Sequence, residues 1–222
     1  DTVLSRGLGD VYKRQLMAAR SLVLGTHNEK KKRELRILLE PVGIKLRTLK
    51  DFPAAIEVEE TGDTFQANAQ LKATEQARIL NQWVLGEDSG LVVEALNGAP
   101  GVYSARFAGE PRDDERNNDK LLAELSGVPQ ERRGAYYVCH MSLARPDGKI
   151  VIDCEAYCRG RIIMERQGQA GFGYDPMFEL PEYHQTFGQL GDSVKSVISH
   201  RARATRTFVD QLQRLIARGE WQ

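Results

Sequence analysis

The chain has 222 residues, 41% hydrophobic and 28% charged, enough to bury a substantial core as one large unit or two small ones. Lys plus Arg and Asp plus Glu both number 31, so the formal net charge is zero, which argues against a general basic surface gripping a nucleic acid polymer. No apolar run approaches the ~20 residues of a bilayer span and no signal-peptide core stands near the start, so no membrane partner is expected.

Residues 1–15, DTVLSRGLGDVYKRQ, show no clear period and resemble translated adapter sequence. Residues 1–16 are therefore read as a non-native or disordered extension, and 17–222 as one catalytic unit. Ser21–Leu24 is a short buried-strand pattern. After Gly25-Thr26-His27-Asn28, a helix is expected from Glu29 to Glu40, with Leu35, Leu38 and Leu39 at helical spacing and Pro41-Val42-Gly43 as its stop. Strand, Thr/Asn turn and helix start make a phosphate-binding arrangement in outline, although GxxxxGK[ST] is absent.

Ile44–Leu49 reads as a second strand, followed by acidic EVEETGDT and a helix over Thr64–Leu80 capped by Asp63 or Thr64. On that helix Asn68 and Lys72 share a face. Trp83–Leu85 reads as a strand ending at Gly86-Glu87-Asp88-Ser89-Gly90-Leu91, and Leu91–Leu96 as another. Asn97–Gly101 is turn chemistry, and Asp114–Leu125 a helix. Ala135–Ala144 and Ile150–Cys158 form a hairpin across RPDGK, GQAGFGYDPMF is a glycine- and aromatic-rich loop, and a Ser-capped amphipathic helix begins at Ser199.

Cys139, Cys154 and Cys158 contain no CxxC pair and no even disulfide set. They are read as core thiols rather than zinc ligands with His140, in a reduced, cytoplasmic protein. Mixed helices and strands without repeats point to one α/β unit, with two lobes flanking a cleft.

Four groups of residues carry candidate chemistry. Glu87 and Asp88, with Glu57, Glu59 and Glu60, offer carboxylates to a hard divalent cation; taken alone, a solvated loop is the cheaper explanation. Thr26, Asn28, Lys31 and Lys72 offer hydroxyl, amide and ammonium donors to phosphate, against the alternative of a solvated basic face. Lys30-Lys31-Lys32 and Arg201 sit at helix starts, where the dipole disfavours cations, so a bound anion is expected there. Gly171–Phe178 offers aromatic faces for base stacking, or else an aromatic core loop. No Ser-His-Asp elbow and no GxGxxG are present.

The segments GTHNEKK, EETGDTFQANAQLKA, EDSGLVVEALNGAPGVYSARFAG, GFGYDPMF and KSVISHRA, in this order and spacing, resemble the inosine/xanthosine triphosphate pyrophosphatases from about Ser21 to Phe208. The resemblance implies an elongated mixed-sheet α/β fold with two lobes around a central nucleotide cleft, dimeric and Mg²⁺-dependent. It implies hydrolysis of ITP, dITP and XTP to the monophosphate and pyrophosphate. By position, Asp88 matches the catalytic acid/base and metal residue and Glu60 a second metal position. Thr26, Asn28, Lys31, Lys72 and Ser89 match triphosphate contacts. Phe172, Gly173, Tyr174, Asp175, Lys195, His200 and Arg201 match the base-recognition set. Two departures stand out. Ala67 occupies a usual Glu position, which raises Glu87 as a substitute metal ligand and opens an alternative, a nucleotide-binding relative without catalysis. The segment GQLGDSV lacks the usual paired acids before Lys195. A related enzyme acting on modified pyrimidine triphosphates is a further alternative, and Glu87 is expected to raise the pKa of whichever acid lacks the metal.

Overall fold

The computed structural model describes residues 20–221; the expected extension over residues 1–16 lies outside them. A seven-stranded sheet runs through the protein in the order β2-β1-β3-β4-β5-β6-β7. Strand β1 (Ser21–Leu24) lies parallel to both β2 (Lys45–Thr48) and β3 (Val84–Val93). Beyond β3 the sheet is antiparallel: β4 (Gly134–Ala144), β5 (Ile150–Ile162) and the short β6 (Phe178–Leu180) and β7 (Gln185–Thr186).

Local chemistry sets the helices. Asn28 caps α1 (Glu29–Leu39), its side chain accepting from the Lys30 and Lys31 amides. Thr64 caps α2 (Phe65–Leu80), which ends on left-handed Asn81. Asp113 caps α3 (Asp114–Glu124), and Ser199 caps α5 (His200–Ala217). Helix α4 (Phe187–Ile198) begins with a Thr186/Gln189 capping box and breaks its helical dihedrals at Gly191. It was not expected: Gly188 and Gly191 hide its periodicity.

One sheet face packs against α1 and α5, where Leu35, Leu39, Phe208 and Leu212 meet Leu24, Leu85, Met141 and Leu143. The other face packs against α2 through Ala73, Ala77, Val23, Val84 and Ala144. A separate apolar cluster gathers Leu121 of α3 and Phe187 of α4 on Leu91, Tyr137 and Phe178 at the far end of the sheet. Two lobes thus share the long strands β3–β5, and the cleft falls between them. Among the described residues no helix is long and apolar enough to cross a membrane.

The expected break at Gly86–Leu91 does not exist. Residues Val84–Val93 form one continuous strand paired throughout with β4, and Glu94–Leu96 is a 3-10 turn rather than strand. The glycines are there for approach rather than for turning. A Cβ on Gly86 would overlap the Ala69 carbonyl oxygen and lie 2.7 Å from Ala73 N; one on Gly90 would overlap Ser104 Oγ. Helix α2 and the Gly101–Arg106 segment therefore sit directly on the strand backbone.

Candidate active site

Adjacent strand residues point to opposite faces, and Glu87 and Asp88 obey that rule. Asp88 is 4% exposed on the α2 face. Lys72 Nζ donates to its Oδ1 at 2.8 Å and Asn68 Nδ2 reaches Oδ2 at 3.5 Å, so the shared face expected for Asn68 and Lys72 is the face that meets Asp88. Glu60 Oε1 lies 3.6 Å from the same ammonium. Burial raises the Asp88 pKa; Lys72 and Lys31 oppose it, and Glu60 adds to it. The neighbour expected to raise it, Glu87, is not among the leading causes, because its carboxylate is turned to the other face.

Glu87, 1% exposed, faces α1 and α5. Arg201 Nη2 donates to Oε1 at 3.0 Å, and Lys31 Nζ lies 3.1 Å from Oε2 and 4.0 Å from Asp88 Oδ1. Burial alone would raise the Glu87 pKa, but Arg201, Lys31 and Lys72 outweigh it and hold it well below the usual range. Glu87 therefore does not fit the metal role expected of it. Its side chain has no exposed surface, and Arg201 and Lys31 occupy its oxygens. It anchors cations instead.

The anion inferred from cations at helix starts is supplied by the protein itself. Arg201 binds Glu34 as well as Glu87 and donates to Ser89 Oγ at 2.9 Å; Lys32 pairs with Glu29, and Lys30 with Asp114 at 2.7 Å. The α1 amides of Lys30 and Lys31 are likewise taken by the Asn28 side chain. Donors for an anion on this side are thus side chains: Lys31, and Thr26, whose Oγ1 already accepts from Asn28 N at 3.2 Å.

Glu34 was missed, though it lies three residues after Lys31 on one helix face, the spacing of facing side chains. It holds Lys195 at 2.8 Å together with Arg201. Lys195 also meets Asp175 at 2.5 Å, so the paired acids lacking in GQLGDSV come from distant chain. Burial pulls the Lys195 pKa down, but Asp175 and Glu34 together leave it raised. Asp175 is fixed further by the Phe172 amide at 2.8 Å and Tyr137 OH at 3.3 Å.

In the Gly171–Asp175 loop the members divide their work. Gly173 N–H donates to Asp114, its carbonyl accepts from Asn118 Nδ2 of α3, and Tyr174 OH donates to the Ser104 carbonyl. These hold the loop, while the Phe172 ring lies 4.4 Å from Lys195 Nζ. His200 stacks on Tyr137 at 4.7 Å. Burial first, then Arg201 and Lys195, keeps its pKa well below the usual imidazole value, so it is neutral at pH 7. His200 Nδ1 and Arg201 Nε are buried without a hydrogen-bond partner.

Two cavities result. The inner one, about 510 Å³, is lined by Phe172–Asp175, Tyr137, Lys195, His200 and Arg201; the outer one, about 520 Å³, by Thr26, Glu57, Glu59, Glu60, Lys72 and Asp88. Asn28, Lys31 and Ser89 line both. Fourteen of the fifteen expected residues thus line one trough, with the fifteenth, Glu87, buried beneath it. Ala67 lines neither cavity; it packs beside Gly62 in the first turn of α2. Cys139, Cys154 and Cys158 are buried free thiols, and His140 hydrogen-bonds Asp153 at 2.7 Å. No group of three or more His, Cys, Asp or Glu arranged to hold a metal by itself occurs among the described residues.

A two-lobed α/β protein with an aromatic cavity opening into a carboxylate- and ammonium-lined one is the class that fold and site define. The chain belongs to the Ham1 family, whose match spans residues 22–211. A Rhodopirellula baltica protein named dITP/XTP pyrophosphatase is 58% identical over 88% of this chain and 94% of its own length. One of the same name from Desulforamulus reducens is 50% identical over 87% and 96%. Among solved structures, a HAM1 protein from Coxiella burnetii superposes with a TM-score of 0.80 at 34% identity, covering 88% of this chain and 99% of that one.

Proposed function

We propose that this protein hydrolyses dITP, ITP and XTP to the nucleoside monophosphate and pyrophosphate, removing non-standard purines from the nucleotide pool. The observation that carries this reading is the joined pair of cavities. The inner one offers aromatic faces and the polar side chains of Lys195, His200 and Arg201 to a base, and the outer one offers carboxylates and ammoniums to a polyphosphate and its metal. The names of the relatives point the same way.

In this reading Asp88 accepts the proton of the attacking water. The water oxygen bonds to the α-phosphorus, and the α–β bridging oxygen leaves with its electron pair on pyrophosphate. Lys31 and Lys72 face the charge developing on the leaving group. Mg²⁺ fits the outer cavity, because Asp88 and Glu60 converge on Lys72 and supply two hard oxygen ligands, the number this ion takes when phosphates and water complete its shell. Once bound, the ion would neutralise phosphate charge.

Base choice rests on donors aimed at a 6-oxo group. Lys195 and Arg201, which both line the inner cavity, are the donors this reading assigns. Facing a 6-amino group they would stay unpaired, at a cost of about 1–3 kcal/mol for each buried donor. Ala67 itself lines neither cavity, and this reading assigns the metal to Asp88 and Glu60 without the usual Glu. The working unit is proposed to be a cytoplasmic homodimer, which light scattering would test. The deciding assay is Mg²⁺-dependent turnover of ITP, dITP, XTP, ATP and GTP. Pyrophosphate release from the first three, with ATP and GTP poor, is expected. Equal rates on all five would overturn the specificity, and release of single phosphates would overturn the reaction.

A further inference from the structure

The two cavities meet at a neck lined by Asn28, Lys31, Ser89, Ala105 and Arg112. Asn28 comes from the β1–α1 turn, Lys31 from the first turn of α1 and Ser89 from β3. Ala105 and Arg112 come from the segment that joins β3 to α3, so Arg112 is the charge that segment brings to the neck.

Its electrostatic state sets it apart from the other cations of the trough. Lys31 has a carboxylate at 3.1 Å, Lys72 at 2.8 Å, Lys195 at 2.5 Å and Arg201 at 3.0 Å. Among the described residues, the nearest ionic partner of Arg112 is Glu110 at 3.9 Å, and its side chain is 52% exposed. An exposed pair at that distance contributes little, so the guanidinium is free to take a ligand without breaking a strong contact. Arg106, on the same segment, lines the outer cavity alone and lies over the Tyr103 ring.

We propose that Arg112 is a substrate-contact residue that grips the α-phosphate of the bound nucleotide. The proposal rests on the pyrophosphatase reading above. A base in the inner cavity and a polyphosphate in the outer one leave the α-phosphate at the neck, where Arg112 faces it. A guanidinium presents two parallel N–H donors to two non-bridging oxygens, which holds the phosphorus in place for in-line attack and neutralises its charge. Lysine supplies the charge without the fork.

The test compares wild type with Arg112→Ala and Arg112→Lys by ITP turnover and by competitive inhibition with IMP and with pyrophosphate, with melting temperature as the folding control. For Arg112→Ala, kcat/KM for ITP is expected to fall about 10- to 100-fold, the size of one lost charge-assisted contact. IMP binding should weaken alongside it, pyrophosphate inhibition should hold, and Arg112→Lys should recover part of the loss. Turnover within twofold of wild type would overturn the proposal, as would a loss that follows pyrophosphate and spares IMP. A wild-type protein inert on ITP would instead overturn the pyrophosphatase reading itself.

Discussion

The inner cavity adds aromatic faces that the outer one lacks, and the charged groups around the two are organised in opposite ways. Around the inner one, Lys31, Glu87, Arg201, Glu34, Lys195 and Asp175 form an unbroken chain of alternating charges, every member held by its neighbours. The outer one concentrates carboxylates, with Glu57, Glu59, Glu60, Asp88 and Glu110 facing Lys31, Lys72, Arg106 and Arg112. Discrimination between bases needs donors that cannot move, and a closed ionic chain fixes them. Phosphate chemistry needs charges that exchange partners when metal and substrate arrive, and an incompletely neutralised cavity permits that.

Four measurements would break or sharpen that contrast. The largest effect is expected from Asp88→Asn, about a thousandfold loss of turnover with ITP binding retained and little change in melting temperature. Comparable losses in binding and stability would show that the two cavities are not separable. Next, Glu87→Gln leaves Arg201 short of a buried counter-charge and should cost on the order of 3 kcal/mol, a fall of about 10 °C by calorimetry. A neutral outcome would mean the inner chain is not rigidly coupled.

Third comes acid sensitivity through Glu34. Burial works against its charge, but Arg201 and Lys195 outweigh burial and hold its pKa below the ordinary 4.5. The unfolded chain therefore binds more protons at this group than the folded one does. The stabilisation is fully present above pH 4.5 and is lost as pH falls through the lowered folded value. The stability gap between wild type and Glu34→Gln should thus narrow on acidification below pH 4.5, as urea titrations at several pH values would read. The smallest effect is expected from Ala67→Glu, because Ala67 lines neither cavity; turnover should change less than about threefold. A large gain would show that the outer cavity lacks a ligand.

What could be read from sequence follows from how local each signal is. Strand β1, helix α1 and the caps Thr64 and Ser199 were legible because apolar spacing and capping act within a few residues. Glu87 and Asp88 looked like a solvated strand end because Gly and adjacent acids favour turns. What keeps them buried in mid-strand comes from afar: Arg201 is 114 residues away from Glu87, and Lys72 reaches in from α2. Motif order picked out fourteen residues that the fold brings together along the two cavities. Their division between the two was not legible, since which carboxylate faces which cavity depends on strand register. Glu34 and Arg112 escaped notice because the first carries its meaning only through Lys195 and Arg201, and the second only through the neck it lines.

Alternation along β3 has a consequence for how such a protein can change. Two consecutive codons specify residues that serve two circuits, one on each side of a single backbone, with Lys31 as the charge that touches both. Substitutions in the Glu87 circuit can drift toward a new base while the Asp88 circuit keeps its phosphate geometry, and the reverse holds as well. The glycines on either side limit that freedom, because helix α2 rests on bare backbone at Gly86. A protein engineer seeking altered base choice would therefore begin with Glu87, Glu34 and Arg201, and leave Gly86 and Gly90 untouched.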